Sequence, residues 1–232
     1  MEYAQEHSVF TKHELLEALR PWHDIKEATL AWVLFHLVQT NQLARLKRGV
    51  YTLQRRQAFL PKPTQAMIGI AKTMRSELPY AEFSLYSGDY FAPWHHHLTI
   101  NHLIYLAVPR FMVENAADML ESHQYTTYPN PDEEMLHRHI DMQKENIVVL
   151  PLISQAPLQN SLGVPTPHIE TLLVDLFASP VFKYLQGAEY ARMFINAYRQ
   201  YAIQEDRLLR YASRRNAKPQ LQLIFNEAKS HD

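Results

Sequence analysis

The sequence predicts an α+β chain with a helical C-terminal region, and three observations carry that prediction. Apolar residues recur at helical spacing before residue 40 and then alternate across a glycine turn at residues 43–53. Short apolar runs of strand length follow at 82–86, 104–108 and 147–153, interleaved with helix-period stretches at 65–77 and 112–120. From 168 to 229 every periodic stretch is helical.

Each element has a local cause. Thr11-Lys12-His13-Glu14 reads as a capping box, with Thr11 as the cap and Glu14 reaching back to it. Leu15, Leu16 and Leu19 continue that first helix, and Pro21 ends it. A second helical stretch runs from Lys26 to Gln39, with Leu30, Val33, Leu34, Leu37 and Val38 as its apolar stripe and Asn41 as its stop. Leu43 and Leu46, then Val50 and Leu53, flank Gly49 as the two arms of a hairpin, since glycine supplies the positive φ of a tight reversal. Gln54 to Thr64 carries cations and two prolines and reads as a linker. The stretch 151–167, with four prolines and Gly163, reads as a long loop. Four helices are expected after it, at 168–178, 188–201, 204–214 and 219–229.

Helix, helical pair and hairpin is the element order of a winged helix-turn-helix, so residues 1–60 are expected to form a DNA-binding domain. Residues 61–232 are expected to form a mixed α/β segment followed by the helical region. Charge points the same way. Net charge is only −1, yet the 49 residues from Ala28 to Ser76 hold eight cations and no Asp or Glu, a footprint suited to phosphate. In this fold a helix enters the major groove and the hairpin flanks it on the backbone. Lys26, Thr29, His36 and Gln39 are the candidate contacts on the helix, and Arg45, Lys47, Arg48 and Tyr51 those on the wing. Trp32 is expected to pack against the first helix.

Other chemistry has less support. His95, His96, His97 and His102 cluster in sequence, but neighbours on a strand point to opposite faces, and no HExxH spacing exists. No metal site or cofactor is therefore expected. With five glycines there is no phosphate-binding loop and no nucleophile elbow, and cysteine is absent, so the chain is expected not to be an enzyme. Glu170 and Asp175 lie about 140° apart around their helix, too divergent for a carboxylate pair. Arg207, Arg210, Arg214 and Arg215 could form a face for nucleic acid or an acidic partner. The apolar residues are dispersed and the start lacks a signal-peptide pattern, which points to a cytoplasmic protein without membrane contact.

The stretches "FTKHELLEAL" and "LVQTNQLARLKRGVY" resemble the N-terminal winged-helix segment of AbiEi-type antitoxins, the regulating partners of bacterial type IV toxin–antitoxin systems. "PTPHIETLLVDLF" and "RLLRYASRRN" resemble the helical C-terminal part of that family, whereas "FAPWHHHLTINH" departs from its pattern. The resemblance implies a non-enzymatic protein that represses its own operon by binding inverted repeats in double-stranded operator DNA and counteracts a nucleotidyltransferase-like toxin. Two competing readings are a metal-dependent hydrolase or nuclease built on the histidines, and a defence-system adaptor whose N-terminal unit binds protein.

Overall fold

The computed structural model describes residues 7, 9–21, 25–39, 43–53, 56–95, 101–185 and 187–230. The chain is α+β with a helical C-terminal region, as expected. Its N-terminal unit comprises β1 (Val9–Thr11), α1 (Lys12–Leu19), α2 (Glu27–Gln39), β2 (Leu43–Lys47) and β3 (Val50–Leu53). The three strands pair antiparallel in the order β1-β3-β2. β1 was not expected: it is three residues long and owes its register to β3, forty residues away in sequence.

The capping box of α1 forms as read, with Glu14 N–H donating to Thr11 Oγ1 at 3.1 Å and Thr11 N–H donating to Glu14 Oε2 at 2.7 Å. Phe10, Leu30, Leu34, Leu43 and Tyr51 form the small core between sheet and helices.

The larger body is built on a four-stranded sheet of β4 (Ser84–Ser87), β5 (Ile104–Val108), β6 (Thr127–Pro129) and β7 (Ile147–Pro151), in the order β4-β5-β7-β6. β5, β7 and β6 run parallel, and β4 is antiparallel to β5. Both faces are covered, which explains the unbroken apolar runs of β5 and β7. Ile104, Leu106, Ile147 and Val149 face α3 (Gln65–Glu77) and α4 (Val113–Ser122). Tyr105, Val148 and Leu150 face the other way, toward α5 (Glu133–His139), α6 (Ile169–Ala178), α7 (Ala188–Gln200), α8 (Glu205–Arg214) and α9 (Lys218–Ser230). The crossovers β5–α4–β6 and β6–α5–β7 therefore lie on opposite sides of the sheet.

Two expectations about loops are corrected. The stretch 151–167 holds a hairpin, β8 (Leu158–Ser161) and β9 (Val164–Pro167), which turns at Leu162 and Gly163, both at positive φ. Its prolines are tolerated because a two-stranded ribbon leaves one side of each strand unpaired. The linker, in turn, is fastened to the body. Gln57 N–H donates to Gln200 O at 2.9 Å, Ala202 N–H donates to Gln57 O at 3.0 Å, and the Phe59 ring meets Tyr201 edge-on at 5.3 Å. Of the linker residues, 54 and 55 lie outside those described.

Candidate functional site

The hairpin turns at Arg48 and Gly49, where φ is +77°. Its tip is tied to the start of α1 by Lys12 N–H donating to Gly49 O at 2.9 Å. A bulge between Arg45 and Lys47 breaks the two-residue alternation. Arg45, Lys47 and Arg48 are all exposed, and among the described residues none has an acidic partner. Lys12 instead pairs with Glu27 at 2.5 Å and joins the starts of α1 and α2.

On α2, Thr29 and His36 are exposed, and Lys26 is exposed just before its first turn. The Gln39 side chain lies outside those described. Trp32 does not pack on α1: it is 66% exposed and stacks on His36 with ring centres 5.7 Å apart. Phe35 is 62% exposed and Val33 is exposed beside it. Tyr51 is buried and its ring stacks on Phe10 at 6.1 Å, so it belongs to the small core rather than to the exposed face. The basic hairpin and the exposed side of α2 thus belong to one small unit whose outer surface carries cations and aromatic rings.

The two described histidines of this cluster, His95 and His102, pair with different carboxylates. His102 Nδ1 lies 2.8 Å from Asp89 Oδ1, and His95 Nδ1 lies 3.6 Å from Glu189 Oε1. His96 and His97 lie outside the described residues. Among the described residues no group of three or more His, Asp or Glu could hold a metal ion.

The C-terminal arginines do not present one face either. Arg207 turns inward to Glu170 at 3.4 Å and to His168 Nδ1 at 3.0 Å, while Arg215 turns inward to Asp175 at 3.2 Å. Arg214 bonds to Ser154 and Gln155, and Arg210 is exposed. The angular divergence of Glu170 and Asp175 has a purpose here, since each meets its own arginine from α8 or its end. Burial raises the Glu170 carboxyl and pushes Asp175 up to about 6, even though their arginines pull the other way. Burial, then the Arg207 charge, pushes His168 down to about 4.

Asp175 and Arg215 line a cleft of about 630 Å³ at the carboxyl ends of the parallel strands. Ala107 of β5, Leu150 and Pro151 of β7, and Asn130 just past β6 reach it from the sheet. Sequence reasoning missed it because its two half-buried charges are forty residues apart and each has an innocuous local explanation.

Among the described residues no helix is long and apolar enough to cross a membrane. No curated protein matches the chain. The profile of a family of unknown function, DUF6577, matches residues 29–231, beginning within the first turn of α2, and the chain belongs to that family.

Proposed function

We propose that this chain is a DNA-binding transcriptional regulator whose N-terminal unit is a winged helix-turn-helix. The observation that carries the reading is a Gly49 hairpin bearing three exposed, acid-free cations beside an exposed helix in a three-stranded, two-helix unit. In this reading α2 enters the major groove through Thr29 and His36, with Lys26 on the flanking phosphate, and the wing lies on the backbone. The antitoxin role against a nucleotidyltransferase-like toxin rests on the sequence resemblance. It predicts that production of this chain relieves growth arrest by such a toxin.

The wing tests the DNA reading. Replacing Arg45, Lys47 and Arg48 with Ala should weaken operator and random DNA alike, because phosphate contacts carry no base information. Three lost contacts should lower the slope of log affinity against log salt by about 2.7, at about 0.9 per phosphate. Thr29→Ala and His36→Ala should instead relax sequence preference and leave that slope nearly intact. Fluorescence anisotropy at several salt concentrations reads both. An unchanged slope in the triple variant would refute the reading.

The exposed Trp32, Val33 and Phe35 support a second reading, in which α2 docks on protein. It requires Trp32→Ala with Phe35→Ala to abolish capture of a partner while DNA affinity stays intact.

A further inference from the structure

We infer that the cleft at the carboxyl ends of β5, β7 and β6 binds a small organic anion, a carboxylate or phosphate head carried on an apolar or aromatic body. The inference is independent of the wing and of DNA.

Position is the first argument. In open sheets of parallel strands, the crevice beyond the carboxyl ends is where loops diverge and ligands sit. Here α4 leaves β5 for one face while α5 connects β6 to β7 on the other, so the chain parts at this edge. The resulting volume of about 630 Å³ suits a ligand of aromatic-acid or mononucleotide size.

The floor supplies the head-group chemistry. Arg215 stands at the end of α8 with its side chain only 17% exposed. Its Nε lies 3.2 Å from Asp175 Oδ1 but is not aligned to donate to it, and this buried Nε has no hydrogen-bond partner among the described residues. The same carboxylate oxygen already accepts from the Tyr211 hydroxyl at 2.9 Å. A guanidinium has five N–H donors, and a buried one with spare donors is costly unless something accepts from them. An anion entering the cleft would accept from the part of the Arg215 guanidinium that lines it.

The walls and rim fit the remainder of such a ligand. Leu150, Leu152, Ile153 and Val181 make the sides apolar, and Arg110 stands exposed among the lining residues. The other carboxylate of the lining, Asp132, is committed elsewhere: its Oδ1 accepts the Met135 N–H at 2.7 Å as the cap of α5. Arg110 and Arg215 thus offer two cations to an incoming negative group, with apolar walls for the body it carries.

The test uses the full chain and four probes: benzoate, phenyl phosphate, inorganic phosphate and benzyl alcohol, each followed by calorimetric titration and by the Arg215 side-chain N–H resonance. Benzoate or phenyl phosphate should bind and shift that resonance, and whichever binds tighter identifies the head group. Inorganic phosphate and benzyl alcohol, each lacking half of the ligand, should bind at least about tenfold more weakly. Leu152→Trp, which fills the cleft and leaves the buried charges in place, should abolish binding, and Arg110→Ala should weaken it. Because Arg215→Gln strands Asp175 and endangers folding, Leu152→Trp carries the decision. The inference is overturned by no binding of benzoate or phenyl phosphate below about 10 mM, a loose threshold for a weak site. Equal binding to Leu152→Trp would overturn it too, as would inorganic phosphate or benzyl alcohol binding as tightly as the aromatic anions.

Discussion

Asp175 and His168 should make opposite contributions to the pH dependence of stability, and single substitutions should separate them. The Asp175 carboxyl rises from an ordinary 3.8 to about 6 on folding, through burial. Between those values the folded state holds the proton that the unfolded chain has lost. Its contribution therefore falls as pH rises from about 4 to 6. His168 moves the other way, from 6.5 down to about 4, again chiefly through burial. Between those values the unfolded chain holds the extra proton, so stability from this group rises with pH and is lost as pH falls through the same window. At 1.36 kcal/mol per tenfold change in proton affinity, each effect is worth at most about 3 kcal/mol, and water at the partly exposed His168 reduces its share. The 22% exposure left to the Asp175 side chain lets cleft water reduce its share. The raised Glu170 adds to the Asp175 side of the balance. Arg215, Tyr211 and Tyr86 face Asp175. Those facing His168 and Glu170 include Arg207. Urea unfolding of the wild type, Asp175→Asn and His168→Gln at pH 7, 6, 5 and 4.5 measures the effect. Relative to wild type, Asp175→Asn should lose ground as pH falls and His168→Gln should gain it. Difference curves of the same sign, or two flat ones, would refute the assignment.

Three further outcomes are expected. Gly88→Ala should cost about 3 kcal/mol in urea unfolding, since a Cβ there would lie 2.3 Å from the Asn101 side chain and 2.4 Å from its carbonyl oxygen. Thr11→Ala should cost about 1 kcal/mol, seen as faster amide exchange in the first turn of α1, where the cap bonds are made. Tyr51→Phe should leave DNA affinity and its salt slope unchanged, whereas Tyr51→Ala should cost about 3 kcal/mol by opening the small core, because the ring stacks on Phe10.

The elements most legible in the sequence were those with their own punctuation. Helix α3 falls on its expected bounds, Gln65–Glu77, because Thr64 caps it by accepting the Met67 N–H. β5 is also as expected, since both sheet faces are buried and the whole run is apolar. What escaped depended on partners far along the chain. β1 and the β8–β9 hairpin are short and acquire strand character by pairing. Trp32 misled because a large aromatic on a helix normally seeks the core. The hairpin cations were legible, since exposure follows from the turn alone. Arg215 was not, because a cation at a helix end already suits the dipole, and only the packing of α8 on α6 shows it entering a cleft.

The ends of the four-stranded sheet have a consequence for behaviour in concentrated solution. An outermost strand with a free ladder invites another chain to add to it. On one side β6 is three residues long and ends in Pro129, which has no N–H to offer. On the other, the β8–β9 hairpin packs beside β4, and Ser161 of that hairpin donates to Pro61 O at 2.6 Å. A short proline-ended strand and a covering hairpin leave little template for edge-to-edge growth. Opening that hairpin, for instance by substituting Gly163 in its positive-φ turn, should promote self-association through β4.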